Sequence, residues 1–332
     1  MNRLPARAAA TALLTIALLA IGCGGGDSNG SAGGGTGMPF DAAIEQAQDV
    51  SRADFPATDG RTLQEIADPL PAVQAGLATS AYTPGENRLA FGVIDGANEF
   101  IYGKTAIYLA RGPNEKAIGP FPAPADPLVV EPPFRSEGAA LATGDIAAIY
   151  EAQVDLPEPG RWSVLTVSKS QGKTYGAATQ IEVRRESPIP AVGESAPRVE
   201  TETLASADGD VASIDTRVPP SDMHEVSFSD VVGEKPVALL FATPQLCQTR
   251  VCGPVVDIAA QLKAKYGDEV EFIHQEVYVD NMVERGLRPP LERFRLRTEP
   301  WLFTVDAQGK VAARLEGSFG NEAFERAIKA AL

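Results

Sequence analysis

Two of the three cysteines in this 332-residue chain stand five positions apart, in Leu246-Cys247-Gln248-Thr249-Arg250-Val251-Cys252-Gly253-Pro254. Neighbouring thiols can exchange with a disulfide or bind a soft metal ion, and the backbone decides which. On one continuous helix, residues five apart are separated by about 7.5 Å of rise and point about 140° apart, whereas a disulfide needs Cα atoms within about 7 Å of each other. The pair can close only if Cys247 lies in a loop ahead of a helix and the chain folds back, which Pro244 as a breaker and four intervening residues permit. The helix itself is legible after Pro254: Val255, Ile258, Ala259, Leu262 and Tyr266 recur at helical spacing, and Gly267 follows as a C-cap. A thiol at a helix N-terminus faces the positive end of the dipole and unpaired N–H groups, both of which favour the thiolate. Cys252 is therefore expected to be the nucleophile, with a depressed pKa, and Cys247 its partner. The competing expectation is a structural disulfide that only staples the loop.

The elements around the pair are those that would position it. Pro236-Val-Ala-Leu-Leu-Phe-Ala242 reads as a buried strand ahead of the cysteines, and Val270-Glu-Phe-Ile-His-Gln-Glu-Val-Tyr-Val279 as a second strand. An Arg-rich helical stretch follows, then Glu299-Pro300, a hairpin over 301–317 turning near Gln308-Gly309, and a final helix from Asn321 with Phe324, Ile328 and Leu332 on one face. This β-α-β-α-β-β-α order, with Cys252-Gly253-Pro254 at the head of the first helix, resembles the thioredoxin-like/redoxin superfamily over residues 223–332. The resemblance implies that Pro300 is a cis-proline facing the thiols, that Cys252, Cys247 and Pro300 form the catalytic set, that no cofactor is needed, and that the activity is thiol-disulfide exchange. Ala191 to Leu204, with Val192-Gly193-Glu194-Ser195-Ala196-Pro197, is similar to the segment that leads into redoxin domains. Two positions depart from the pattern: Val255 stands where the second cysteine belongs, and Leu240 where thioredoxins keep a buried carboxylate.

Other readings use the same residues. Thr249-Arg250-Val251-Cys252 matches the T-x-x-C part of the peroxiredoxin motif, with Pro244 one residue too far upstream. Cys247, Cys252 and His274 would be the ligands if the chain resembled copper-delivering thioredoxin-fold chaperones, although the C-x-x-x-C-P of that family is absent. A catalytically silent binding module is the reading from a different class. Arg285, Arg288, Arg293, Arg295 and Arg297 make a basic island that could steer an acidic partner or form a solvated helix face, given the Glu284/Arg288 and Glu292/Arg295 spacing.

The rest of the chain reads as export and attachment. Arg3 and Arg7, the apolar run Ala8–Ala20 and Gly22-Cys23 form a signal peptide over 1–22, too short to span a bilayer comfortably. A small residue before a cysteine at that place resembles a bacterial lipobox, which implies a lipid on Cys23, a membrane partner and an extracytoplasmic location where disulfides persist. Residues 23–37 are a Gly/Ser-rich tether, and 38–83 a short helical arm. Residues 84–187 hold five β-rich runs, among them the run with Trp162 as a core residue, and a Pro-rich excursion; they suggest an immunoglobulin-like sandwich without an inter-sheet disulfide. Residues 188–222 read as linker. The fold class expected is α+β multidomain. A net charge of -15 argues against a nucleic-acid partner and leaves exported protein thiols or a redox partner protein.

If Cys23 carries the only membrane attachment, Cys23→Ser should move the protein from the membrane to the soluble fraction. A variant that still fractionates with membranes and resists a carbonate wash would refute the lipobox assignment.

Overall fold

The computed structural model describes residues 40–137, 146–247 and 251–332. Cys23, the signal-peptide and tether expectations for residues 1–37, and the Thr249-Arg250 pair of the peroxiredoxin reading lie outside these described residues. No helix among them is long and apolar enough to cross a membrane.

The arm contains helices α1 (Phe40–Gln48) and α2 (Leu63–Ala67). The second is started by a capping box in which Thr62 Oγ1 accepts from the Glu65 N–H at 3.2 Å, while the Glu65 carboxylate accepts from the Thr62 N–H at 2.8 Å. The arm is not wholly helical. Gln74–Leu77 forms strand β1, which pairs antiparallel with β2 (Gly85–Ile94). The further strands are β3 (Lys104–Ala110), β4 (Ile118–Pro122), β5 (Ala125–Pro127), β6 (Ala148–Leu156), β7 (Gly160–Ser170) and β8 (Lys173–Val183). The five β-rich runs thus become β2, β3, β6, β7 and β8, and the Pro-rich excursion supplies the short edge strands β4 and β5. They assemble as two antiparallel four-stranded sheets, ordered β1-β2-β6-β5 and β4-β3-β7-β8. Alternate residues of both, such as Phe91 and Tyr150 from one sheet and Ile107, Trp162 and Ile181 from the other, fill one shared core.

The C-terminal part follows as α3 (Phe228–Val231), β9 (Val237–Phe241), α4 (Cys252–Tyr266), β10 (Glu271–Gln275), α5 (Pro289–Arg293), β11 (Trp301–Val305), β12 (Val311–Glu316) and α6 (Asn321–Ala331). Its sheet is ordered β10-β9-β11-β12, with β9 parallel to β10 and antiparallel to β11. From β9 onward this is the element order and sheet topology that the thioredoxin resemblance implies, and the class is mixed α+β. β9 is buried along its whole length because both sheet faces are covered. Ala238, Leu240 and Ala242 point to the side of α4 and α6; Val237, Leu239 and Phe241 point to α5 and an aromatic cluster of Phe228, Phe294, Trp301 and Phe303.

Four details differ from the expectations. The Arg-rich helix is confined to α5, because Gly286 at φ 81° interrupts the backbone. Arg288 is buried and paired with Glu202, and Arg285 pairs with Asp280, so the expected Glu284/Arg288 helix-face pair does not form. Leu332 lies past the end of α6 and is exposed, and the buried face of that helix is Ala323, Phe324, Ala327, Ile328 and Ala331. Residues 188–222, expected as linker, lack strands yet are packed: Val199, Thr201, Ile214, Asp215 and Arg217 are all buried.

The sandwich and the C-terminal part are stitched together by polar groups, each with several partners across the junction. Asp126 of β5 accepts from the N–H groups of Gly320, Glu322 and Ala323 at 2.9–3.0 Å, and so caps α6. Arg88 of β2 donates to the Glu316 and Ser318 carbonyls at 2.8 and 2.6 Å while pairing with Glu151 at 2.7 Å. At Gly317, φ is +69° and a Cβ would lie 1.7 Å from the Ala78 carbonyl oxygen, so a glycine is required at this close approach.

Asp126→Ala strips three N–H groups of a buried helix start of their acceptor. It should lower the unfolding free energy by about 1–3 kcal/mol, measured by urea denaturation. A change within about 0.3 kcal/mol would show that the cap is dispensable.

Candidate functional site

The cysteines sit where β9 ends. Residues 244–246 form a turn, the Cys247 N–H donates to the Thr243 carbonyl at 3.1 Å, and α4 begins at Cys252. The turn is braced from the segment expected as linker. The Gln245 N–H donates to Thr216 Oγ1 at 3.2 Å, and the Thr216 N–H and hydroxyl both donate to Glu276 Oε1, at 2.8 and 2.6 Å. The side chains of Cys247 and Cys252 are in hydrogen-bonding contact, as thiols. Cys247 is half-buried and Cys252 has no exposure at all.

That burial corrects the expectation of a depressed Cys252 pKa. Burial pushes the thiol well above its ordinary value, the neighbouring Cys247 pushes it further, and a hydrogen bond from the Thr243 N–H pulls the other way without prevailing. The magnitudes explain the outcome. A helix dipole is worth about 0.3–1 kcal/mol to a nearby charge, less than one pKa unit, while full desolvation can move a pKa by about 3–5 units.

Glu299-Pro300 is a cis peptide, and the Pro300 carbonyl accepts from the Gly317 N–H at 2.8 Å. Glu299, which the sequence did not mark, is partly buried beside Cys247. Burial raises its carboxyl pKa, the Cys247 charge raises it further, and a hydrogen bond from the Tyr278 hydroxyl at 3.4 Å opposes both. Next to the pair, Val251, Thr298 and Glu299 share a cleft of about 450 Å³ whose other wall belongs to the sandwich, through Leu77, Ile94 and Ile149.

Behind β9 lies a buried polar cluster that no motif announced: Asp215, His224 and His274. Asp215 Oδ1 accepts from the Arg217 N–H at 2.8 Å. Its Oδ2 accepts from the Ser221 N–H and hydroxyl at 2.7 and 2.8 Å and lies 3.1 Å from His224 Nε2 and 3.6 Å from His274 Nδ1. His274 Nε2 donates to the Ala242 carbonyl at 3.0 Å. The grouping includes neither cysteine, so the Cys247, Cys252 and His274 set of the copper reading is not assembled among the described residues. His274 is a packed, hydrogen-bonded residue here.

Burial pushes His274 down, but the Asp215 carboxylate beside it more than offsets this, and its pKa lies above the ordinary imidazole value. Burial pushes Asp215 up, and the nearby His274 charge with the hydrogen bond from His224 takes it far below the carboxylate range. The contribution of His274 to stability is thus complete below about pH 6.5, its unfolded value, and is lost as pH rises through the higher folded value. That of Asp215 is present above about pH 3.9 and lost only as pH falls through its depressed folded value. Asp215→Asn should therefore cost most between these limits, about 3–5 kcal/mol near pH 5.5, and less at alkaline pH, where the wild type has lost the same pairing. Equal losses by urea denaturation at both pH values would contradict a charged pair.

No family model matches the chain, and no curated protein does. Among solved structures, the chain is similar to a thiol:disulfide interchange protein DsbE from Chlorobium tepidum at 19% identity and a TM-score of 0.31, over 43% of this chain and 98% of that chain. It is similar to a thioredoxin-family thiol:disulfide interchange protein from Chlorobium tepidum TLS at 16% identity and a TM-score of 0.30, over 42% and 97%. An endo-beta-1,4-mannanase from Thermotoga petrophila matches at 16% identity and a TM-score of 0.19, over 34% of this chain and 20% of that one.

Proposed function

We propose that this is a membrane-anchored, extracytoplasmic thioredoxin-like protein that exchanges thiols and disulfides with exported proteins through Cys247 and Cys252, and that its sandwich is of immunoglobulin-like type. The observation that carries the reading is the meeting of a half-buried and a fully buried thiol at the head of α4.

Exposure favours the roles in the order opposite to the sequence expectation. Cys247, the accessible sulfur, attacks a client disulfide as thiolate; the client S–S bond breaks, a mixed disulfide forms, and one client sulfur leaves and takes a proton. Cys252 then loses its proton and attacks Cys247 Sγ, which forms the Cys247–Cys252 disulfide and releases the second client sulfur as thiolate, to be protonated. The client gains two electrons and the pair loses two; in the reverse direction the pair oxidises a client dithiol. A thiol reductant or a disulfide oxidant from a partner protein must reset the pair after each turnover. The Glu299 carboxyl, raised by burial next to Cys247, is suited to take up and return the proton. The apolar cleft shared with the sandwich would receive the client segment around its disulfide.

A silent module with a structural staple is the alternative that the burial of Cys252 favours. A redox titration of the full chain carrying Cys23→Ser separates the two. Exchange requires a reversible Cys247–Cys252 bond with a potential above about -300 mV, the upper end of the structural range. It also requires that Cys252→Ser trap clients as mixed disulfides through Cys247, because the resolving thiol is gone. A pair that never bonds, or one that stays oxidised at every accessible potential and traps nothing, would establish the silent module.

A further inference from the structure

His274 and Cys252 touch opposite ends of one peptide group. His274 Nε2 donates to the carbonyl oxygen of Ala242, at 3.0 Å, and the N–H of the same peptide unit, that of Thr243, is the donor to the Cys252 sulfur. A peptide is a resonance system with a partial C–N double bond. A donor at its oxygen draws electron density out of the nitrogen and makes the N–H a stronger donor, which is the cooperative strengthening found in hydrogen-bond chains. The sheet fixes this relay. His274 pairs in register with Leu240, so its side chain projects to the α4 face of β10, beneath the position where the chain has no carboxylate of its own.

The charge that drives the relay comes from the segment ahead of the domain. Asp215 lies 3.6 Å from His274 Nδ1, on the side of the ring away from Ala242. The ion pair is neutral as a whole, but its positive end faces the peptide and its negative end faces away. The other groups around the ring are His224, at 5.2 Å between centroids, and Glu276 on its own strand, which is engaged by Thr216. Asp215 is held by Arg217, Ser221 and His224, so the carboxylate cannot swing to the front of the ring.

We propose that Asp215 and His274 are a positioning pair for the resolving thiol: through the Ala242–Thr243 peptide, they strengthen the N–H that stabilises the Cys252 thiolate. This rests on the exchange reading, in which Cys252 must shed its proton inside a buried site to attack Cys247. No proton passes along the relay. The Nε2 proton stays on the ring, and the effect is polarisation of one amide against the burial that keeps the thiol protonated.

The test uses the full chain carrying Cys23→Ser and Cys247→Ser, labelled with carbon-13 at the cysteine Cβ, so that the Cys252 thiol is titrated alone by NMR. His274→Gln keeps a donor for the Ala242 carbonyl without the charge, and Asp215→Asn removes the counter-charge that holds the proton on His274. Each should raise the Cys252 titration midpoint by about one pH unit, a tenfold fall in its ionisation constant. A second measurement needs neither variant. By linkage, ionisation of Cys252 must raise the pKa of the His274 ring, and S-methylation of Cys252 must abolish that rise. Midpoints that stay in place in both folded variants, or a His274 ring that is neutral throughout and indifferent to Cys252, would overturn the proposal. Exchange activity is assayed separately on the two-cysteine protein. Coupling without exchange removes the exchange reading and leaves the electrostatic link standing, whereas exchange without coupling removes only the relay.

Discussion

A carboxylate buried on α4 dictates much of how this molecule is assembled. Asp257 lies in the second turn of that helix with almost no exposure, and an unpaired charge there would cost several kcal/mol. Its partners come from elsewhere in the chain. Arg217 Nε donates to Oδ1 at 2.8 Å, and the Ser136 N–H and hydroxyl donate to Oδ2 at 2.9 and 3.0 Å. Arg217 also reaches the Pro219 and Phe134 carbonyls at 2.6 and 2.8 Å. One helix is thereby clamped by the strap that leaves the sandwich after β5 and by the segment that leads into the thioredoxin-like domain. Leu128 and Val130 of the same strap pack into the core that contains Cys252, so the clamp also seals the buried thiol.

Sealing has a chemical consequence. The dipole of α4 and the Thr243 N–H favour a thiolate at Cys252, but a site with no exposure penalises it more than both can recover. In the proposed exchange, a sulfur that is hard to ionise and out of reach is a poor first nucleophile and a serviceable second one, since the resolving attack would be intramolecular and gain from proximity. The half-buried Cys247 takes the complementary position. The asymmetry follows from where the chain turns: Cys247 lies directly after the turn over 244–246 and stays half-exposed, while Cys252 at the helix start is fully buried.

The parts of this arrangement that show in the sequence are those with a local periodic cause. β9 reads as an unbroken apolar run because both of its faces are covered; α4 reads from Val255, Ile258 and Leu262; Cys252-Gly253-Pro254 and Glu299-Pro300 mark a helix start and a cis peptide. β1 was hidden because Gln74-Ala-Gly-Leu77 is a half-exposed edge strand without strong β formers. Residues 188–222 look like linker by composition, since Pro, Ser and Thr carry no period. Their burial comes in part from tertiary partners, Asp215 to His274 and Arg217 to Asp257, that are far away in sequence. His274 was visible as a strand histidine, and the alternation of β10 puts it on the α4 side, but nothing local says that Asp215 will meet it. In the sequence Glu299 stands out only as the neighbour of Pro300, and nothing local places it near Cys247.

The sandwich bears on the site as well as on stability. Glu316, at the end of β12, accepts from the Ser80 N–H, the Ser80 hydroxyl and the Ala81 N–H at 2.6–2.9 Å, and from the Thr298 hydroxyl at 3.1 Å. One carboxylate thus joins the arm ahead of β2 to the loop that carries Glu299 and Pro300. Thr298 is fixed in turn by the Trp301 indole N–H at 3.0 Å, so the loop cannot shift without disturbing a buried aromatic residue. The cleft lined by Thr298 and Glu299 has its walls on the two sides of this junction. A polar group shared between two packed units transmits displacement well, because letting go of either partner leaves a buried acceptor unsatisfied. The loop facing the thiols therefore has its position set partly by the sandwich, and the two parts of the chain form the site jointly.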